Sequence, residues 1–130
     1  LSSLSGDEKQ EKKSIDIKLA ISAFISNDYI VEDRVRLELY RRLSKTTQKD
    51  EVYKIEEEME DRFGKPDLPT KQFLELIMIK ILSLQKGIQT ISSYEMNITF
   101  TKSDDTKETI KSPSKDDDDI IITTLKYLRK

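Results

Sequence analysis

The sequence predicts an α+β fold, with three to four helices around a central apolar helix packed against a small, mostly antiparallel sheet. The run Phe73–Leu84 is apolar on nearly every side, and a helix of that character belongs in the interior of a domain. Apolar side chains recur at every second residue over 15–21 and over 94–100, which is the period of half-buried strands, and Ile88 and Ile91 precede the second run. Together these patterns favour a layer of helices on a sheet.

The composition describes one domain and excludes several kinds of chemistry. A chain of 130 residues has the usual size of a single domain and can bury a sizeable core. It contains no Cys and no His, which removes thiolate chemistry, the commonest general base and the commonest zinc ligand. With a formal charge of −2 and 37% charged residues, we expect a cytoplasmic domain with no cofactor and no membrane contact.

The chain divides into a short polar segment and one domain. Residues 1–14 lack apolar periodicity and are rich in Ser, Lys and Glu, so they are predicted to be a linker or tail, with a frayed helix as the alternative. Residues 15–130 are predicted to form the domain. The chain does not begin with Met, which suits a piece of a longer protein.

The first half of the domain is expected to hold one strand and two helices. The strand begins at Ile15 and continues toward Phe24, and a first helix covers Glu32–Leu43. Asp50 is a candidate cap for a second helix, which ends at Phe63. The residues expected to face the core from these two helices are Val35, Leu39, Tyr40, Leu43, Val52, Ile55, Met59 and Phe63.

A punctuated turn joins the second helix to the central helix. Gly64 tolerates the backbone conformation that ends a helix, and Pro66 cannot readily continue one. Pro69 rigidifies the entry to the central helix, and Thr70 is its candidate N-cap. Gly87 is expected to end the central helix as Gly64 ends the previous one.

The second half is expected to complete the sheet and add a last helix. One or two strands are predicted over 88–100, bent near Ser92 and Ser93, and Ser103–Thr106 has the composition of a hairpin turn. Lys107–Lys111 is a poorly apolar strand that suits a sheet edge. Four aspartates then open the last helix, whose core residues are expected to be Ile120, Ile121, Leu125 and Leu128.

Two blocks of this sequence occur in an order and spacing found in a known family. The downstream block consists of Asp61–Gly64, Pro66, Pro69 and Gly87 with Ile88. The upstream block consists of Tyr29 with Ile30, Arg34, and Arg36–Leu43. Together they span about residues 15–88 and resemble the C-terminal domain of bacterial transcription-repair coupling factors.

The resemblance implies a regulatory domain without chemistry of its own. Full-length members of that family are ATP-driven DNA translocases that displace stalled RNA polymerase and recruit the excision-repair protein UvrA. Their C-terminal domain docks on the N-terminal UvrA-binding module of the same chain and masks it. On this resemblance, residues 15–130 are a C-terminal autoinhibitory domain whose direct partner is that module. RNA polymerase, UvrA and duplex DNA would be partners of the longer protein.

A charged stripe on the second helix is the candidate docking surface. It consists of Glu51, Lys54, Glu58, Asp61 and Arg62. At about 100° per residue, their spacing brings these side chains onto one face beside the apolar face. Such a stripe suits reversible docking, because charge sets orientation and association rate, although an ordinary solvated face has the same composition. The resemblance places most weight on Glu58, Asp61 and Arg62.

The residues alone leave two other functions possible, nucleic-acid binding and metal-dependent hydrolysis. Arg34, Arg41 and Arg42 fall close together on a helix and could contact phosphates, but acidic residues are interleaved with them. The carboxylate runs Glu56–Asp61 and Asp116–Asp119 could hold a divalent metal for a hydrolase, although such runs usually lie on solvated helix faces.

Overall fold

Four helices and one four-stranded sheet make up the part of the chain that this computed structural model describes, residues 15–130 apart from Ala20 and Ser22. The predicted linker, residues 1–14, lies outside the described residues. In chain order the elements are β1 (Asp16–Lys18), α1 (Asp33–Ser44), α2 (Lys49–Phe63), α3 (Leu68–Gln85), β2 (Ile88–Tyr94), β3 (Asn97–Lys102), β4 (Lys107–Lys111) and α4 (Asp117–Leu128). The predicted α+β class is confirmed.

The sheet has the order β1-β2-β3-β4 and is mostly antiparallel, as predicted. Of these four described strands, only the short β1 runs parallel to its neighbour, β2. Ile98 and Phe100 of β3 are fully buried, so one face of the sheet packs against the helices. Ile88 and Ile91 are both buried although an odd spacing would place them on opposite faces, because the register shifts between Ile88 and Thr90.

Two predictions about the strands were wrong. The first strand stops at Lys18 rather than continuing toward Phe24. The predicted bend near Ser92 and Ser93 is absent, because both residues pair regularly with β3. The chain instead reverses after Tyr94, where Glu95 adopts a positive φ of 55°. The hairpin turn at 103–106 and the edge position of β4 are confirmed.

Helix α3 is central, as predicted, and contacts α2, α4 and β2. Ile79 is fully buried. The predicted cap was wrong: Asp67 is the N-cap, and its Oδ1 accepts from the Thr70 N–H at 3.3 Å. Thr70 lies inside the first turn, fully buried, and its Oγ1 accepts from the Ser26 N–H at 3.0 Å. Thr70 therefore joins α3 to the segment before α1.

Helix α2 has well-defined ends. Gln48 is its N-cap, and the Gln48 N–H donates to the Glu51 carboxylate at 3.1 Å, so the prediction of Asp50 as the cap was wrong. Gly64 follows its last residue with φ 88° and ψ −173°, a region that is essentially restricted to glycine. The Gly64 N–H donates to the Glu60 carbonyl at 2.9 Å, which closes the last turn. Gly87, with φ 72°, lies one position later relative to its helix, since Lys86 is the C-cap of α3.

Helix α4 contacts the sheet through Tyr127. Its ring stacks on Phe100 with centroids 4.0 Å apart, and its hydroxyl donates to the Glu108 carboxylate at 2.5 Å. Burial and the Glu108 carboxylate raise the pKa of Tyr127 to about 12, so the phenol remains a donor. The predicted core residues of α4 are all buried, namely Ile120, Ile121, Leu125 and Leu128.

Candidate docking surface

A hydroxyl group holds the C-terminal end of α2 in place. Tyr29 donates to the Gly64 carbonyl at 2.5 Å, and the Met59 carbonyl lies 3.3 Å from the same oxygen. The Tyr29 ring meets Phe63 edge to face, with centroids 6.0 Å apart. Burial, followed by the charge of Glu60, raises the pKa of Tyr29 and keeps the donor protonated. The two sequence blocks that carry the family resemblance therefore meet at this point.

The charged stripe lies on the outer surface of α2. All of its members are exposed except Glu58, which is half-buried. Glu51 also stabilises the start of the helix, because its Oε1 accepts from the N–H groups of Thr47 at 2.7 Å and Gln48 at 3.1 Å. These hydrogen bonds lower the pKa of Glu51. Glu51 thus caps α2 at the start of the stripe.

Glu58 is paired with an arginine of the neighbouring helix. Arg42 Nη1 and Nη2 of α1 each donate to one carboxylate oxygen of Glu58, both at 2.9 Å. This planar, bidentate arrangement is the preferred one for an arginine and a carboxylate. The hydrogen bonds lower the pKa of Glu58 and raise that of Arg42. The centre of the stripe is therefore an ion pair that joins α1 to α2.

Asp61 and Arg62 form the more accessible end of the stripe. Asp61 is exposed and makes no salt bridge within the described residues. The Arg62 guanidinium lies over the Phe63 ring, 4.9 Å from its centroid, in a cation–π contact. Because Phe63 packs against Tyr29, Arg62 rests on an ordered surface. Asp61, Arg62 and Lys54 are the exposed stripe residues that make neither a salt bridge nor a capping contact within the described residues.

The arginines proposed for nucleic-acid contact do not form one open patch. Arg42 is held by Glu58, whereas Arg34 and Arg41 are exposed. Arg36, between them in sequence, donates to the carbonyls of Ile30 and Val31. The patch available for phosphate is therefore smaller than the three arginines of the sequence prediction.

The carboxylate run that opens α4 makes structural contacts. Asp118 Oδ1 accepts from Gln72 Nε2 at 2.8 Å, and Asp119 Oδ2 accepts from Ser114 Oγ at 2.6 Å. Across the described residues, no group of three or more Asp, Glu, Cys or His side chains is arranged to hold a metal ion. None of the described helices has the length and hydrophobicity needed to cross a membrane.

One feature escaped the sequence analysis altogether: a groove of about 340 Å³ between α2, α3 and α4. It is lined by Val52, Tyr53, Glu56, Lys71, Leu74, Glu75, Met78, Ile122, Leu125, Lys126 and Arg129. We call it the interhelical groove. The exposed positions of Tyr53 and Ile122 were the available signals, but residues so far apart in sequence reveal a shared groove only once the helices are packed.

The structure is that of a small α+β domain that presents a charged stripe and an interhelical groove at its surface. The chain belongs to the TRCF domain family, whose model matches residues 19–112. It is 52% identical, over 97% of its length, to a transcription-repair-coupling factor of Helicobacter pylori. A transcription-repair-coupling factor of Staphylococcus epidermidis is 23% identical over 80% of the chain.

The chain spans only a small part of these relatives, 13% of the Helicobacter protein and 9% of the Staphylococcus protein. The crystal structure of the C-terminal domain of a transcription-repair coupling factor superposes with a TM-score of 0.64 at 21% identity. That match covers 72% of this chain and 59% of the other, and it shows that the fold is shared.

Proposed function

We propose that this domain is a non-catalytic, autoinhibitory part of a transcription-repair coupling factor. It docks on the UvrA-binding N-terminal module of the same protein and covers it until the protein engages its substrate. The longer chain would supply the ATP-driven motor and the contacts to RNA polymerase, UvrA and duplex DNA. Membership of the TRCF domain family supports this proposal.

The observation that carries the proposal is the form of the charged stripe on α2. Asp61 and Arg62 stand exposed at its end, and the Arg42–Glu58 pair lies beside them. A surface of opposite charges in fixed positions selects the orientation of its partner more than it adds affinity. The cap at Glu51 and the Tyr29–Gly64 hydrogen bond hold this surface in place at both ends of α2.

An intramolecular contact of this kind has a physical advantage. Two modules of one chain meet at an effective concentration of about 1 mM or more when the linker allows it, so a weak interface is sufficient. The same weakness permits release when the module is needed elsewhere. A small, polar surface such as α2 meets both requirements better than a large apolar one.

The experiment measures binding of the isolated chain to the N-terminal module of its parent protein by titration calorimetry. Asp61→Lys is expected to weaken binding about tenfold or more, because it replaces an exposed carboxylate with the opposite charge. Glu60→Lys is the control, since it also replaces an exposed carboxylate with a positive charge, one residue away and about 100° around the helix. Thermal unfolding of both variants should match the parent chain.

If Asp61→Lys bound the N-terminal module as tightly as the parent chain, the charged stripe would not be the docking surface. The nucleic-acid alternative is separated by titrating duplex DNA at low salt. Binding that falls steeply with salt and is lost in an Arg34→Ala, Arg41→Ala double variant would favour that function instead. A flat DNA titration together with loss of module binding supports docking.

A further inference from the structure

The interhelical groove lies on the opposite flank of α2 from the charged stripe. Its floor is apolar and formed by Val52, Leu74, Met78 and Leu125, all of them buried. Tyr53 of α2 and Ile122 of α4 stand at its edges with 48% and 47% of their surfaces exposed. These two half-exposed side chains extend the apolar floor to the rim of the groove.

The two walls of the groove carry opposite charge. On the α4 side, Lys126 and Arg129 line it. On the α2 side, Glu56 lines it, and a second depression of about 300 Å³ continues along the same helix. That depression is lined by Tyr53, Glu56, Glu57 and Glu60, and by Lys54, the member of the charged stripe that borders it. A basic wall on α4 therefore faces a predominantly acidic wall on α2, and between them α3 contributes Lys71 and Glu75 beside the apolar floor.

Two carboxylates in the groove are incompletely compensated. Glu56 and Glu75 make no salt bridge to any residue that the structure describes. Burial raises the pKa of both, and the positive charge of Lys71 offsets part of this effect. A cation brought by a partner would stabilise the ionised form of these groups, because it would sit in a partly desolvated site.

The groove lies between three helices of the domain and leaves room for one helix from a partner. Three helices surround it, and the α4 residues that line it, from Ile122 to Arg129, extend about 11 Å along that helix. Adding one amphipathic helix would produce a local four-helix arrangement with a continuous apolar centre. Neither β-augmentation nor a bound metal accounts for an apolar floor between charged helical walls.

We propose that the interhelical groove binds an amphipathic helix of a partner protein, with its apolar stripe on the groove floor, basic residues toward α2 and acidic residues toward α4. This inference is independent of docking through the charged stripe. Glu56 and Glu58 lie about 200° apart around α2, so one partner can bind each flank. The opposed walls set the direction of the bound helix as well as its affinity.

The test uses synthetic helical peptides of about 15 residues that share one leucine stripe. One peptide carries Lys on one border of the stripe and Glu on the other, a second has these borders exchanged, and two more carry Lys or Glu on both borders. Binding to the whole chain is followed by fluorescence anisotropy and by methyl NMR of Met78 and Ile122. Both mixed peptides should bind about tenfold more tightly than the uniform ones.

The mixed peptides must bind in opposite directions, because turning a helix end for end exchanges its two borders. A spin label at the peptide N-terminus should therefore broaden signals near Lys71 with one mixed peptide and near Met78 with the other. Ile122→Asp should abolish binding, whereas Leu37→Asp, a matched change at an exposed apolar residue of α1, should not alter it.

A second variant tests the same proposal if the Ile122→Asp protein does not fold. Reversing the basic wall with Lys126→Glu and Arg129→Glu should shift the preference to the peptide with Lys on both borders. Equal affinities for all four peptides, or spin-label effects that do not reverse, would overturn the proposal. Self-association of the chain through Met78 and Ile122, seen by sedimentation, would also overturn it, since a second copy would then be the occupant.

Discussion

Arg42 of α1 and Glu58 of α2 form a bidentate ion pair with both N–O distances at 2.9 Å, although they stand 16 residues apart in sequence. Both side chains remain more than one-third exposed, so solvent screens the pair and its contribution to stability is about 0.5 kcal/mol. Its main effect is on position: the Glu58 carboxylate is oriented toward α1 and is largely neutralised. Loss of docking after a change at Glu58 could therefore come from a lost partner contact or from a lost contact between the two helices.

Exchanging the two charges distinguishes a lost partner contact from a lost contact between α1 and α2. The double variant Arg42→Glu, Glu58→Arg retains an ion pair between α1 and α2, so its unfolding free energy should stay within about 1 kcal/mol of the parent chain. If Glu58 contacts the proposed partner, the UvrA-binding module, the affinity measured by calorimetry should fall about tenfold or more. Parent-like affinity would mean that Glu58 acts only within the domain.

Removal of one hydroxyl tests the anchor of α2. Tyr29→Phe loses the hydrogen bond to the Gly64 carbonyl but keeps the ring contact with Phe63. The free energy of unfolding should therefore fall by about 1 kcal/mol. Chemical denaturation measures this change. Tyr94→Phe is the control, because Tyr94 is 75% exposed and its hydroxyl makes no hydrogen bond to a residue the structure describes. Equal stability of the two variants would contradict the anchoring role.

Gly64 should resist substitution for reasons of backbone conformation alone. A Cβ added there meets no heavy atom within 4 Å, but the residue has φ 88°. Gly64→Ala should therefore lower the unfolding free energy by about 1–3 kcal/mol, the usual cost of strain in this region. Lys65→Ala, at the next and exposed position, should change it by less than about 0.5 kcal/mol. A tolerated alanine at Gly64 would show that the turn relaxes.

Replacing Glu75 or Glu58 with glutamine should change the melting temperature at pH 7 in opposite directions. Burial raises the folded-state pKa of Glu75, so its ionised form destabilises the domain at neutral pH. Glu75→Gln should therefore raise the melting temperature at pH 7, and the gain should fade as pH drops through the raised pKa of the parent carboxyl. The charged groups that act on Glu75 are Lys71, Asp118, Glu56 and Arg129.

Glu58 should behave in the reverse manner. Its hydrogen bonds with Arg42 lower its folded-state pKa, so the stabilisation is present above the unfolded-state value and is lost as pH falls through the folded value. Glu58→Gln should lower the melting temperature slightly at pH 7 and have no effect in strong acid. Melting curves of both variants between about pH 3 and 8 would decide the signs. If both variants changed the melting temperature at pH 7 in the same direction, the buried environment of Glu75 and the ion-paired environment of Glu58 would be contradicted.

Local pattern was sufficient to predict much of the fold. The apolar faces of α1, α2 and α4 and the interior position of α3 follow from helical periodicity, because burying apolar area dominates the free energy of such a chain. Gly64 and Gly87 marked helix ends for a conformational reason that holds in any context. The caps were less predictable: Asp67 and Thr70 both have capping side chains, and only the final backbone path selects between them.

The sequence by itself determined the family, the α+β class, the core faces and the position of the charged stripe, because each depends on residues close together along the chain. Only the tertiary structure decided that Arg42 is paired with Glu58, that Tyr29 holds the end of α2, and that α2, α3 and α4 enclose a groove with oppositely charged walls. These features join distant segments, and the relative rotation of packed helices fixes them. That rotation depends on the whole core at once, so no local pattern encodes it.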